Sequence, residues 1–176
     1  MTRAAQIRRA EQGDVADITE LIYLLAEHQR AKDECSVTQA QISDALFGDS
    51  PAAFAHVAVN DDDAVVGIAV WFLNFSTWDG SHGIYLEDLY VRQSARGGGH
   101  GKALLAALAK ECVDNGYTRL AWSVANWNTP SIEFYESLDA KPQNEWTTYR
   151  LAGQPLQALA DESVRPTQDS SDSSGS

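Results

Sequence analysis

The run Arg96-Gly97-Gly98-Gly99-His100-Gly101 constrains this chain more than any other stretch. It follows an apolar, strand-like segment at Ile84 to Val91 and precedes a helical repeat from about Lys102, whose apolar side carries Leu104, Leu105, Leu108 and Cys112. Glycines at that junction let the backbone approach a ligand closely. The helix start adds unpaired N–H groups and a partial positive charge. The combination is an anion cradle, most often used for phosphate, although a tight strand-to-helix turn would need the same glycines. Spacing separates it from two familiar phosphate loops. The G-x-x-x-x-G-K-[ST] pattern would need glycine at Arg96 and a hydroxyl at Ala103, and G-x-G-x-x-G would need glycine at Lys102. What remains is R-x-x-G-x-G.

The elements around it alternate as in an α/β domain. A strand is predicted at Gln6 to Ala10, then a helix with Val15, Ile18, Leu21, Ile22 and Leu25 at helical spacing. Thr38 with Gln41 makes a capping-box pattern ahead of a second helix at Ile42, Ala45 and Leu46. Strands at Phe54 to Val59 and Ala64 to Leu73 flank a turn of three aspartates, and Asn74 to Gly83 reads as a loop around Trp78. The glycine-loop helix should stop at Asn115-Gly116. A strand at Arg119 to Ala125 follows, then a helix capped by Thr129 and opened by Pro130, running to about Leu138. A last strand is predicted at Trp146 to Leu151 and a short helix at Gly153 to Glu162. The expected organisation is one domain over residues 1–162 and a Ser/Asp-rich tail, 163–176, too polar to order itself.

With 176 residues and 44% hydrophobic content, one buried core is the natural outcome. The balance of 13 Lys and Arg against 25 Asp and Glu gives a net charge of −12, which repels nucleic acid and anionic lipid and suits a cationic partner, or serves solubility or salt tolerance alone. No apolar run is long enough for a membrane span, and Met1 to Glu11 lacks the apolar core of a signal peptide; a cytoplasmic protein is expected. Cys35 and Cys112 lack metal or disulfide spacing, Cys112 reads as a buried thiol, and no metal site is expected.

The R-x-x-G-x-G string on this strand and helix resembles the coenzyme A pyrophosphate loop of the GCN5-related N-acetyltransferases (GNAT). The runs Tyr85-Leu86-Glu87-Asp88-Leu89-Tyr90-Val91 and Trp127-Asn128-Thr129-Pro130-Ser131-Ile132-Glu133-Phe134-Tyr135 are similar to the spermidine/spermine acetyltransferase branch. The likeness extends from about Gln6 to Leu151. It implies a single mixed, mostly antiparallel sheet, splayed between the strands around Leu89 and Val124, with helices on both faces. It also implies an enzyme that transfers acetyl from acetyl-CoA to a small primary amine within a homodimer. By the same resemblance, Arg96, the Gly97, Gly98, Gly99, His100 and Gly101 amides and Lys102 hold the pyrophosphate. Leu89, Tyr90 and Val91 pair with pantetheine, and Asn128 bonds the cofactor or caps its helix.

Acetyl transfer to an alkylammonium needs a base for the amine and an acid for the departing sulfur. Glu87 and Asp88 interrupt an apolar strand, so they reach solvent or serve a site. In a regular strand they would face opposite ways, unless a bulge re-aims the chain; the family has one here. The resemblance makes Glu87 the proton acceptor, Asp88 the holder of the cationic substrate, and Tyr135 the acid, with an edge carboxylate and a core aromatic as the plain alternatives for Glu87 and Tyr135. Trp122, Trp127 and Trp146 read as packing before pocket walls. His28 to Cys35 departs from the polyamine enzymes: Arg30 and Lys32 oppose a polycation, Asp33 and Glu34 favour one. A diamine, a polyamine and a lysine-like amino acid all stay open, as do a non-catalytic acyl-CoA sensor and, less favoured, protein N-terminal acetylation. Asp139 stands where relatives usually have glycine; Asp tolerates a left-handed backbone better than most residues, at some strain, so either that conformation or a locally different turn is expected.

Overall fold

The computed structural model describes residues 5–163; the tail beyond Ser163 lies outside the described residues. The chain divides into two compact units, one ending at Asn126 and one beginning at Trp127.

The first unit runs β1 (Gln6–Arg9), α1 (Val15–His28), α2 (Gln39–Phe47), β2 (Phe54–Val59), β3 (Val65–Ser76), β4 (Ser81–Val91), α3 (His100–Asn115) and β5 (Leu120–Trp122). The five strands lie in chain order, the first four antiparallel and β5 parallel to β4. This is the open, mixed, mostly antiparallel sheet expected. The capping box forms: Gln41 N donates to Thr38 Oγ1 at 3.2 Å, and Thr38 N to Gln41 Oε1 at 2.9 Å, an arrangement worth about 1 kcal/mol. Gly116, at φ 69°, stops α3 in the left-handed region.

Helices cover both faces. Ile18, Leu21 and Leu46 of α1 and α2 pack on Val57, Ile68 and Val70. On the opposite face α3 buries Leu104, Leu108 and Cys112. Burial pushes the Cys112 thiol up, which keeps it protonated and inert, as its apolar neighbours suggested. That face also encloses His56, whose Nδ1 accepts from Trp71 Nε1 at 3.1 Å. Burial, with the nearby Arg9, lowers the imidazole to about 4.

The predicted loop at Asn74 to Gly83 is mostly ladder: Asn74 pairs with Gly83, Phe75 with His82 and Ser76 with Ser81. Only the residues between, with Trp78 88% exposed, make the turn. Gly83 misled because its role is packing: a Cβ there would stand 2.5 Å from Arg119 Cγ, and the Arg119 guanidinium donates to Asn74 Oδ1 at 2.7 Å.

In the second unit α4 (Thr129–Glu136) is capped by Asn128, whose Oδ1 accepts from Ser131 N at 3.4 Å. The cap therefore falls one residue before the expected Thr129, with Pro130 in the first turn. Asp139 adopts φ 62°, so of the two expectations the left-handed backbone is the one that forms. The strand expected at Trp146 to Leu151 does not form; its β-favouring residues find no ladder partner among the described residues. The helix α5 spans Gly153–Glu162, as predicted.

Candidate active site

The site starts from a miscount between two strands. Val70 pairs with Asp88 and Trp71 with Leu86, so Glu87 is one residue too many on β4. This bulge reverses the alternation. Leu86 shares the α3 face with Trp71, whereas Asp88 shares the α1/α2 face with Val70. Were Glu87 a regular rung of the ladder, Asp88 would follow Leu86 onto the α3 face. The two carboxylates instead act together: Glu87 is exposed and its charge is felt by Asp88.

Past the bulge β4 has a free edge. Its pairing with β5 covers only Ile84 to Leu86, so Leu89, Tyr90 and Val91 carry β3 on one side and no strand on the other among the described residues. An extended chain with amide groups could add itself there. At the end of that edge Arg96 Nε donates to Val91 O at 3.1 Å, and its guanidinium stands 5.4 Å from the Tyr90 ring centre.

The glycine loop then enters α3. Gly97 (φ 83°) and Gly99 (φ 78°) are left-handed, a conformation costly for other residues. Gly99 is the N-cap and offers no side chain, so nothing caps the first N–H groups of α3. Ala103 N to Gly99 O, at 2.9 Å, is the first helical bond; the amides of His100, Gly101 and Lys102 point out of the helix start, with the Lys102 side chain exposed beside them. The His100 ring packs beneath the loop. A Cβ on Gly98 would stand 3.1 Å from its Nε2, and its Nδ1 is buried with no hydrogen-bond partner among the described residues. Its main chain, not its ring, belongs to the cradle. A pyrophosphate fits the donors and space present here.

On the α1/α2 face a 470 Å³ cleft opens in front of Asp88 and Val70. Ile22 of α1 and Ile42 of α2 form walls, and the segment Glu34 to Val37 closes the third side. Burial, then the Glu87 charge, raises the Asp88 carboxyl to about 6. A carboxylate disfavoured in this way gains when a cation arrives. Sequence reasoning missed the apolar walls, because Ile22 and Ile42 follow the same helical spacing as core residues. The nearest signal was the capping box at Thr38, which fixes where the preceding segment must end.

Tyr135 and Asn128 belong to the second unit. Tyr135 is half-buried beside Phe134, with ring centres 5.4 Å apart, and burial raises its phenol above the ordinary value. It therefore holds its proton at neutral pH, as an acid must. The Asn128 side-chain oxygen is committed to the helix cap, which leaves its amide hydrogens for any other role. Trp122 does not line the cleft, and Trp146, at 70% exposed, is not the packed residue expected.

Comparison with known proteins agrees with this geometry. The model of the acetyltransferase (GNAT) family matches residues 17–139. A thialysine N-epsilon-acetyltransferase from Bos taurus is 31% identical over 166 residues, covering 88% of this chain and 96% of that protein. A spermidine/spermine N(1)-acetyltransferase-like protein from Homo sapiens is 32% identical over 164 residues, covering 88% of this chain but 24% of the longer human protein. Among solved structures, an integron cassette protein from V. cholerae superimposes with a TM-score of 0.75 at 26% identity, over 90% of this chain and 98% of that one. The free strand edge, the uncapped glycine loop and the match across them lead to one assignment: this chain belongs to the GNAT family and is an N-acetyltransferase.

Proposed function

We propose that the protein transfers the acetyl group of acetyl-CoA directly to a small primary amine. The observation that carries this reading is the bulge at Glu87, which turns the neighbouring Asp88 into a cleft on the α1/α2 face, on the strand that carries a free edge and leads into the glycine loop. Acetyl-CoA supplies the activated acyl group. Arg96, Lys102 and the Gly97 to Gly101 amides are assigned to its pyrophosphate, Leu89 to Val91 to its pantetheine, and Asn128 to a further hydrogen bond. Asp88 holds the cationic amine and Glu87 takes its proton. The amine nitrogen then forms the C–N bond at the carbonyl, the C–S bond breaks, and Tyr135 gives its proton to the sulfur. The same reading takes the two units as one functional domain in a cytoplasmic homodimer. The family match crossing Asn126 supports the first point.

The test has two stages. Calorimetry should detect acetyl-CoA and free coenzyme A, and thiol release should depend on an added amine from a panel of diamines, polyamines, amino acids and N-terminal peptides. Binding without turnover across the panel would mark a sensor, and turnover on peptides alone would mark an N-terminal acetyltransferase. Tyr135→Phe should lower kcat about 100-fold with little change in KM for acetyl-CoA. Glu87→Gln should depress the rate most at low pH, where the amine is most fully protonated; a profile like the parent's removes Glu87 as the base.

A further inference from the structure

We infer that the hydroxyl pair of Tyr85 and Ser123 sets the length of acyl chain this enzyme transfers, so that acetyl is accepted and longer straight-chain acyl groups are refused. The inference rests on the acetyl-CoA reading above and concerns the donor rather than the amine.

The sheet forks between β4 and β5. Among the described residues the two strands pair from Ile84 with Leu120 to Leu86 with Trp122 and no further. Ser123 is the first residue past that ladder. Tyr85 pairs with Ala121 inside it, yet its Oη lies 2.8 Å from Ser123 Oγ, two residues beyond its own rung. The side chain thus leans toward the opening and bars its closed end. On the other side Tyr85 pairs with Phe72 of β3, with ring centres 5.2 Å apart. One side chain therefore spans three strands at the fork, held by a ring contact and a hydrogen bond, and both resist its swinging aside.

The donor approaches this bar end-on. With its pyrophosphate at Arg96 and the glycine loop, and its pantetheine along Val91 to Leu89, acetyl-CoA runs down the free edge toward Glu87, and the acyl group leads. The next residues on β4 are Leu86 and Tyr85, where β5 closes in. Tyr85 shares a face with Asp88, because their partners Phe72 and Val70 stand two apart on β3. An acetyl methyl group stops short of the hydroxyl pair. Each added methylene presses on two hydroxyls already bonded to one another, and either parts them or backs the carbonyl away from Glu87. Parting them sets polar groups against hydrocarbon, and a reacting carbon misplaced by about 1 Å loses about 100-fold in rate.

Butyryl-CoA differs from acetyl-CoA by two methylenes and keeps the rest of the carrier, so the two donors isolate the effect when paired with one amine from the panel above. In the parent, kcat/KM for butyryl-CoA should lie about 100-fold below that for acetyl-CoA, with the loss in kcat. Butyryl-CoA should still compete with acetyl-CoA for binding. Tyr85→Leu should raise the butyryl-to-acetyl ratio about tenfold, and Ser123→Ala, at an exposed position, about threefold. Ser123→Thr keeps the hydroxyl and should match the parent. Because both donors meet the same enzyme sample, the ratio is independent of the fraction folded. A parent that uses both donors equally, or a ratio indifferent to Tyr85→Leu and Ser123→Ala, overturns the inference alone. A well-folded parent that binds no acetyl-CoA, or acetylates no amine, overturns the function reading and this inference with it.

Discussion

His56 and Asp88 are two titratable side chains on opposite faces of one sheet, and the sheet treats them differently. On the α3 face His56 is 6% exposed, accepts the indole hydrogen of Trp71 and is held neutral by burial and Arg9. On the α1/α2 face Asp88 is half-buried, has no hydrogen-bond donor among the described residues, and faces a cleft next to a second carboxylate. The first polar group is satisfied within the fold; the second finds no such partner among the described residues. Burial alone does not separate a structural polar residue from a functional one, but the presence or absence of an internal partner does.

The contrast should break most visibly at Asp88. Asp88→Asn is expected to cut kcat/KM for the amine about 100-fold, the scale of a lost charge-assisted contact, while its melting temperature at pH 7 stays level or rises, because a disfavoured charge is removed. Loss of both activity and stability would place Asp88 in the structural class. The reverse holds for His56→Ala: it should lose about 2 kcal/mol of stability by denaturant unfolding, from a cavity and an orphaned Trp71 N–H, with kcat per folded molecule unchanged.

The pH dependence sharpens the comparison, because the two groups have opposite signs. His56 sits below its ordinary 6.5, at about 4, so its contribution is complete above 6.5 and is lost as pH falls through that window. Asp88 sits above its ordinary 3.8, at about 6, so it penalises the fold above 6 and the penalty lifts as pH falls toward 3.8. Urea midpoints across this range should show Asp88→Asn losing acid stability more steeply than the parent, and His56→Ala more gently. In kinetics KM for the amine should climb as pH falls through about 6, when Asp88 becomes neutral. The smallest effect is expected at Trp78, 88% exposed on the β3–β4 turn, where Trp78→Ala should stay within about 0.5 kcal/mol of the parent in unfolding.

Much of this was legible before any coordinates. The capping box at Thr38, the stop at Gly116, the extent of β2 and the left-handed Asp139 each depend on local chemistry that residue types announce. So does the glycine loop. The failures share a cause, which is dependence on distant partners. Asn74 to Gly83 reads as loop until Arg119 arrives to pack on Gly83, and Trp146 to Leu151 reads as strand until it finds nothing to pair with. Glu87 and Asp88 were visible as carboxylates out of place, but the bulge was implied only by resemblance, since register is a property of two strands.

The surplus residue on β4 has a consequence for anyone transplanting this chemistry. Pressing Glu87 into the ladder would do more than close a bulge: in the 11 residues of that strand it would turn everything downstream by half a pleat, carrying Asp88 and Tyr90 into the greasy side shared with Trp71 and leaving Leu89 to face the cleft. Which face each carboxylate takes is here a matter of parity, odd against even. A graft that copies the acidic residues into a flush ladder would reproduce the letters and lose the site.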